Sequence, residues 1–237
     1  WAGSSPISVP PPASAAMKAT STIPVLFYAA GDPVGSGLVA SLARPGGNVT
    51  GLGGFSPGTH AKQLQLLKEA VPKATRVAMV FNPDFPQHAA DRAEVEPAAQ
   101  RLGVTLLPVE LRAPGDIDAA FATMAREKVH ALHVFFQPLV FVHAARVAAL
   151  ALEHKLPAVT PVSEAVRAGL LMSYSSSGID DLRRLPYFID RVLKGASPSE
   201  LPVEQPTRFY LRLNLKTAQA IGVTIPQSLR LQADEVI

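Results

Sequence analysis

Cysteine is missing from all 237 residues. That excludes disulfides, thiolate zinc sites and thiol nucleophiles together. An oxidising compartment is compatible with it, because unpaired thiols are a liability there, although many cytosolic domains also lack cysteine. Charge is sparse: 17% of residues are Asp, Glu, Lys or Arg, and the net charge of +3 is scattered along the chain. A nucleic-acid binder normally gathers its basic side chains on one face, so no nucleic-acid partner is expected. No apolar run reaches the length of a membrane span. Residues 129–152 come nearest and are broken by His130, His133, Gln137, His143 and Arg146. Internal repeats and low-complexity blocks are missing too. What is present is a hydrophobic fraction of 48%, enough for one large core or two modest ones.

The most informative stretch runs from Ala19 to Leu52. It reads as a buried strand (Val25 to Ala30), a turn, a short helix and a second strand. Asp32 stands where a helix N-cap belongs and Pro33 at the first helical position, the places those residues favour. Gly35 and Gly37 then permit close backbone approach. A strand running into a helix N-terminus is where open α/β sheets hold ligands.

From Thr75 onward, short apolar runs alternate with longer amphipathic ones. Strands are expected at 76–81, 104–110, 129–136, 157–162 and 170–174, and helices at 60–71, 88–102, 117–127, 140–154 and 164–168. Such alternation predicts βα units and a mostly parallel sheet. The spacing of Leu182, Leu185, Phe188, Ile189, Val192 and Leu193 predicts a further amphipathic helix. Pro97 and Pro186 fall inside helical patterns, where each should kink or start a helix. The Pro-rich opening, Pro6 to Pro12, reads as a loop. Composition shifts at Gly51 to Thr59 and again beyond Ser173 divide the chain into three parts. These are a partial N-terminal lobe (1–56), a C-terminal α/β lobe (57–177), and a return segment (178–237) expected to pack on the first lobe and the hinge. Five strands make the second lobe complete. The first holds too few for a stable parallel sheet, and a chain opening on Trp1 with no leader pattern reads as a fragment or a processed chain.

Several blocks, in this order and spacing, resemble the extracytoplasmic substrate-binding proteins of ABC transporters related to the tryptophan-binding type. They are the Ala19 to Leu52 passage, residues 62–72, 76–83, 171–174, 187–195 and 201–206, then Asn214 to Leu229 and Ala233 to Ile237. The resemblance implies a two-lobed α/β, periplasmic-binding-protein-like fold with parallel sheets flanked by helices, its first lobe incomplete here. It further implies a periplasmic or otherwise extracytoplasmic solute-binding component of an importer, without cofactor or catalysis. Its partners would be a small amino-acid-like solute in the cleft between lobes, an ABC permease and its ATPase. At the start this chain departs from the family's Gly-Thr-Pro-Ala turn, carrying Gly3-Ser-Ser-Pro6 and then Pro10-Pro-Pro12. The anion-binding turn therefore falls either on Ser4 and Ser5 or on the helix start near Ala13 and Ser14.

The remaining candidates come from the strand ends. Asn82, Gln137, Ser163 and Tyr174 close successive strands of the second lobe, where the switch-point rule puts ligands. Against this, Asn82 before Pro83 is also an ordinary turn residue, and Tyr174 is equally at home in a core. Asp32 reads evenly as a helix cap or as an acceptor for a ligand amine, and Pro33 shares its turn. Gly35-Ser-Gly37 lacks the lysine of a phosphate loop and the frame of a nucleophile elbow. His130 and His133, three apart in a strand, point to opposite faces and cannot share a metal. Asn48-Val-Thr50 fits a glycosylation sequon but lies in an expected strand. Two other readings compete: the effector-binding region of a transcription regulator with the same fold, and an α/β enzyme. The first needs a helix-turn-helix; the second needs a catalytic constellation that the sequence does not offer.

Overall fold

The five strands expected between residues 76 and 174 lie in one mostly parallel sheet, whereas the run Val25–Ala30, expected to be buried, belongs to a separate two-stranded sheet and buries Phe27 alone. The computed structural model describes residues 12–54 and 58–237. In chain order its elements are α1 (Pro12–Ala19), β1 (Val25–Ala30), β2 (Val49–Gly53), α2 (Thr59–Ala70), β3 (Arg76–Phe81), α3 (Gln87–Arg101) and β4 (Thr105–Glu110). Then come α4 (Asp116–Arg126), β5 (Ala131–Val134), α5 (Pro138–Val142), α6 (Ala144–Glu153), β6 (Ala158–Thr160), α7 (Ser163–Arg167) and β7 (Met172–Ser175). The chain finishes with α8 (Gly178–Leu193), a 3₁₀ turn (Pro198–Glu200), β8 (Tyr210–Leu213), α9 (Leu215–Ala220), α10 (Gln227–Gln232) and β9 (Glu235–Val236). These group into two units: Trp1–Ser56 with Ser177–Thr207, and Pro57–Ser176 with Arg208–Ile237.

The larger unit is built on a seven-stranded sheet in the order β4-β3-β5-β6-β7-β8-β9. From β4 to β7 every pair is parallel; β8 then enters antiparallel to β7. The inner strands β3, β5 and β6 are buried on both faces and carry apolar side chains on both. Ala78, Val80, Leu132 and Val134 join a core with α4, α6 and α7. Val77, Ala131, Val159 and Met172 join another with α2, α9 and α10. Asn214 fixes the start of α9, its Oδ1 accepting from the Thr217 N–H at 2.9 Å, as an N-cap should.

In the smaller unit β1 and β2 form a two-stranded parallel sheet. Its strands meet closely at Gly51, where a Cβ would lie 2.1 Å from the Phe27 carbonyl oxygen and φ is +151°. The other edge of β2 takes a short parallel bridge between Leu52 and Glu204, with Gly53 N–H donating to Glu204 O at 2.8 Å. Helix α8 lays Phe188, Leu185 and Val192 against Leu52 and Leu201. Among the described residues, β1 has a strand on one edge alone.

Three sequence expectations change. No short helix follows Asp32: residues 33–37 make successive turns, because two glycines around Ser36 are poor helix formers and Gly37 sits at φ +70°. The helix expected over 140–154 is two, α5 and α6, broken at His143. The return segment does not stay with the first unit. It leaves after Thr207, because β8 pairs with β7 and β9 with β8, and Leu211 and Leu213 complete the larger unit's core.

Candidate functional site

Parallel strands all present their carboxyl ends on one side, and in the larger unit four sequence candidates follow from that. Asn82 comes directly after β3, Gln137 starts α5 beyond β5, Ser163 opens α7 beyond β6, and Tyr174 lies near the end of β7. Because β3, β5, β6 and β7 are successive neighbours, these residues run along one edge of the sheet.

Their side chains are engaged differently. Asn82 is buried and its Oδ1 accepts from the Asp84 N–H at 2.9 Å, the turn-forming role of an Asx residue. Ser163 Oγ contacts Glu164 Oε2 at 3.1 Å. Tyr174 stacks its ring on Phe209 (5.5 Å, 20°) and packs against the core on the α2 side. Burial and the charge of Asp234 push its phenol above the ordinary value. Gln137 differs from all three. It is fully buried, its backbone is extended, and neither its amide oxygen nor its amide nitrogen has a hydrogen-bond partner. A buried primary amide left this way costs about 1–3 kcal/mol.

Next to these residues lies a polar network that the sequence did not reveal. Gln63, on α2, donates from Nε2 to the Tyr174 main-chain oxygen at 2.7 Å. A carbonyl can only accept, so the amide's orientation is fixed and its Oε1 must be the acceptor on the other side. That oxygen takes the N–H of His133 Nε2 at 2.9 Å and faces His60 Nδ1 at 3.1 Å. His60 Nε2 approaches Asp91 Oδ1 at 3.5 Å, and Gln87 Nε2 donates to that same oxygen at 2.9 Å. Burial, reinforced by neighbouring His60, holds the His133 imidazole well below its ordinary pKa. Burial also lowers His60, opposed by the charges of Asp91 and Glu94. Glu94 in turn accepts from the Gly58 and Ala61 N–H groups, both at 3.0 Å, capping α2 from α3.

A second imidazole ties two strand-end loops together. The Nε2 of His88 lies 2.9 Å from the Phe136 main-chain oxygen, which requires a proton on Nε2. Its Nδ1 lies against the Asn82 main chain, 3.0 Å from the nitrogen and 2.8 Å from the oxygen. The ring stacks on Phe85 (5.4 Å, 24°) and meets Phe135 edge-on at 5.6 Å. Helix spacing and strand alternation cannot show that residues so far apart in sequence share one buried cluster.

In the smaller unit, Asp32 caps the turn after β1: its Oδ1 accepts from the Gly35 N–H at 2.8 Å, and Ser36 N–H donates to its main-chain oxygen at 3.0 Å. Pro33 is buried beneath that turn. Just upstream, Ala29 holds φ at +58° where the β1–β2 register shifts, a costly conformation for a residue with a Cβ. Ser4 and Ser5 lie outside the described residues. The sequon is structural: Asn48 Nδ2 donates to the Thr20 and Ile23 oxygens, and Thr50 is buried. Among the described residues no group of three His, Asp or Glu could hold a metal ion, and no helix is long and apolar enough to cross a membrane.

The chain is 27% identical over 230 residues to the tyrosine-binding protein of Clostridioides difficile (strain R20291), covering 95% of its own length and 63% of that protein's. Among solved structures, it is similar to the ABC domain from Streptococcus pneumonia in complex with L-Trp, at 28% identity and a TM-score of 0.87, covering 95% of this chain and 77% of that one. A conserved domain protein from Vibrio cholerae O1 biovar El Tor is 27% identical with a TM-score of 0.88, at coverages of 95% and 75%. Residues 6–237 match the family described as ABC transporter substrate binding protein, and this chain belongs to that family.

Proposed function

We propose that this chain is the solute-binding component of an ABC importer and that its solute is a small amino acid or a close analogue. The observation that carries the reading is the family match over residues 6–237, joined to relatives described as binding tryptophan and tyrosine. The carboxyl edge of the parallel strands, with Asn82, Gln137 and Ser163 along it, offers hydrogen-bonding groups where such a solute would be held. Asp32 remains a candidate acceptor for its amine, and Tyr174 acts from the core side of the same edge. Binding of this kind needs no chemical step, and no residue is assigned a catalytic part. The protein would work in an extracytoplasmic space, periplasmic in a Gram-negative cell, delivering the solute to a permease driven by its ATPase.

The competing reading as a transcription regulator's effector region is not favoured, since the matched family is that of transport. Isothermal titration calorimetry of the full chain against a panel of L-amino acids tests the proposal. Micromolar or tighter binding of at least one of them is expected. Failure of every member to bind, by a protein shown to be folded, would remove it.

A further inference from the structure

A row of polar residues crosses the face that the larger unit's sheet turns toward α7. Thr160 of β6 lies opposite Ser173 of β7, Ser173 opposite Arg212 of β8, and Arg212 opposite Glu235 of β9. Cross-strand partners project on the same face, so the four make one continuous line across four strands. Ala158, on the same side of β6 as Thr160, belongs to the core that includes Ala165 of α7. Ser175 shares this face, two residues beyond Ser173. Met172 and Leu213 point the other way, into the core on the α2 side.

Parts of the row satisfy one another. Arg212 donates from Nε to Glu235 Oε2 at 2.9 Å, and Arg167 of α7 donates from Nη2 to both Glu235 oxygens, at 3.2 and 3.4 Å. The Thr160 hydroxyl oxygen accepts from the Val162 N–H at 3.2 Å. Three groups are left over. The Ser173 and Ser175 hydroxyls and Arg212 Nη1 are buried with no hydrogen-bond partner in the protein. Ser173 is 0% exposed and Ser175 7%. Register brings the three together: Arg212 stands opposite Ser173, and its guanidinium leans over the ring of Tyr210, the residue opposite Ser175, 5.3 Å from the ring centroid.

Charge points the same way. One carboxylate, Glu235, answers two guanidiniums, Arg167 and Arg212. A guanidinium nitrogen can only donate and each serine hydroxyl has a proton to give, so the unpartnered groups are three donors beside a surplus of positive charge. Buried groups of that kind call for an acceptor that is also a counter-charge.

We propose that Ser173, Ser175 and Arg212 bind a single monatomic anion, of the charge and size of chloride, beneath α7. The ion would tie β7 to β8. Ser175 ends β7 just before the chain leaves for the smaller unit at Ser177, and Tyr210 opens β8 just after it returns at Arg208. The site therefore joins the outgoing and returning strands. It does not depend on what solute the protein carries.

Urea unfolding of the full chain, followed by circular dichroism, tests the site at constant ionic strength, with sodium chloride exchanged stepwise for the bulkier sodium gluconate. An anion bound only by the fold multiplies the folding equilibrium constant by about elevenfold at ten times its Kd. The expected result is a saturating dependence on chloride in wild type. Arg212→Gln should abolish it, and Ser173→Ala should shift it to about tenfold higher chloride. Bromide soaked into wild-type crystals gives a reading that no variant's folding can confound. Its anomalous signal is expected within hydrogen-bonding distance of Ser173 Oγ and Arg212 Nη1. A wild-type midpoint indifferent to the exchange, a dependence that survives Arg212→Gln, or bromide bound only elsewhere would overturn the site and assign these groups to water.

Discussion

Acidification should unfold this protein with a slope set by two buried histidines. His133, on β5, is 0% exposed and His60, on α2, is 2% exposed. The titratable groups facing them are each other, together with His88, Asp91 and Glu94 of α3. Gln63 holds its oxygen toward both imidazoles. In the unfolded chain each histidine takes up a proton near pH 6.5, whereas both folded-state values are lowered. Below about pH 6.5 the unfolded state therefore binds more protons, and stability falls as pH falls. Above that pH neither group contributes a slope. Each histidine that stays neutral in the fold while charging in the unfolded chain costs about 1.4 kcal/mol per pH unit, so the pair gives about 2.7. His60 leaves the slope first, because Asp91 and Glu94 counter its burial, and His133 carries it to lower pH. Urea unfolding followed by circular dichroism, from pH 7.5 to 5, measures this directly. His133→Gln keeps an amide N–H for Gln63 and removes one titration, so its slope should drop to about 1.4 kcal/mol per pH unit. A flat wild-type profile below pH 6.5, or an undiminished slope in the variant, would refute the reasoning.

Two further outcomes follow from the smaller unit. Asp32→Asn should leave thermal stability nearly unchanged, because Asn and Asp cap equally well, and Asp32→Ala should cost about 1 kcal/mol; if Asp32 also meets the solute's amine, calorimetry will show affinity lost in the Asn variant as well. Gly51→Ala should destabilise by about 2–4 kcal/mol in urea unfolding, since its Cβ would lie 2.1 Å from the Phe27 carbonyl oxygen at φ +151°, and a change below 1 kcal/mol would show that β1 yields easily.

The larger unit's parallel strands were legible because strands covered on both faces are written as apolar runs, as in Arg76–Phe81 and Ala131–Val134. Strand β8 was not, since Tyr210-Leu-Arg-Leu213 mixes a charge into the run and stands after a Pro-rich connector. That miss misassigned the last thirty residues, from Arg208, to the wrong unit. The turn after Asp32 kept its cap but not its helix, because the cap geometry needs one carboxylate and one amide while a helix needs a run of residues willing to continue. At the candidate site, strand-end positions could be read from the alternation, and Asn82, Gln137 and Ser163 were found that way. His88 and the Gln63 network could not. Nothing in a local pattern marks a helix glutamine that reaches a strand seventy residues on.

The late arrival of β8 has a consequence for synthesis. Strand β7 is complete at Ser175, but its antiparallel neighbour begins only at Tyr210, after the chain has made its excursion into the other unit. At the ribosome's pace of about 5–20 residues per second, the Met172–Ser175 edge waits roughly 2–7 s with its main-chain groups unpaired. A parallel sheet left open for that long is a template for any extended chain nearby. Holding the nascent polypeptide unfolded until it is finished, as export through a narrow membrane channel would require, would spare it that interval.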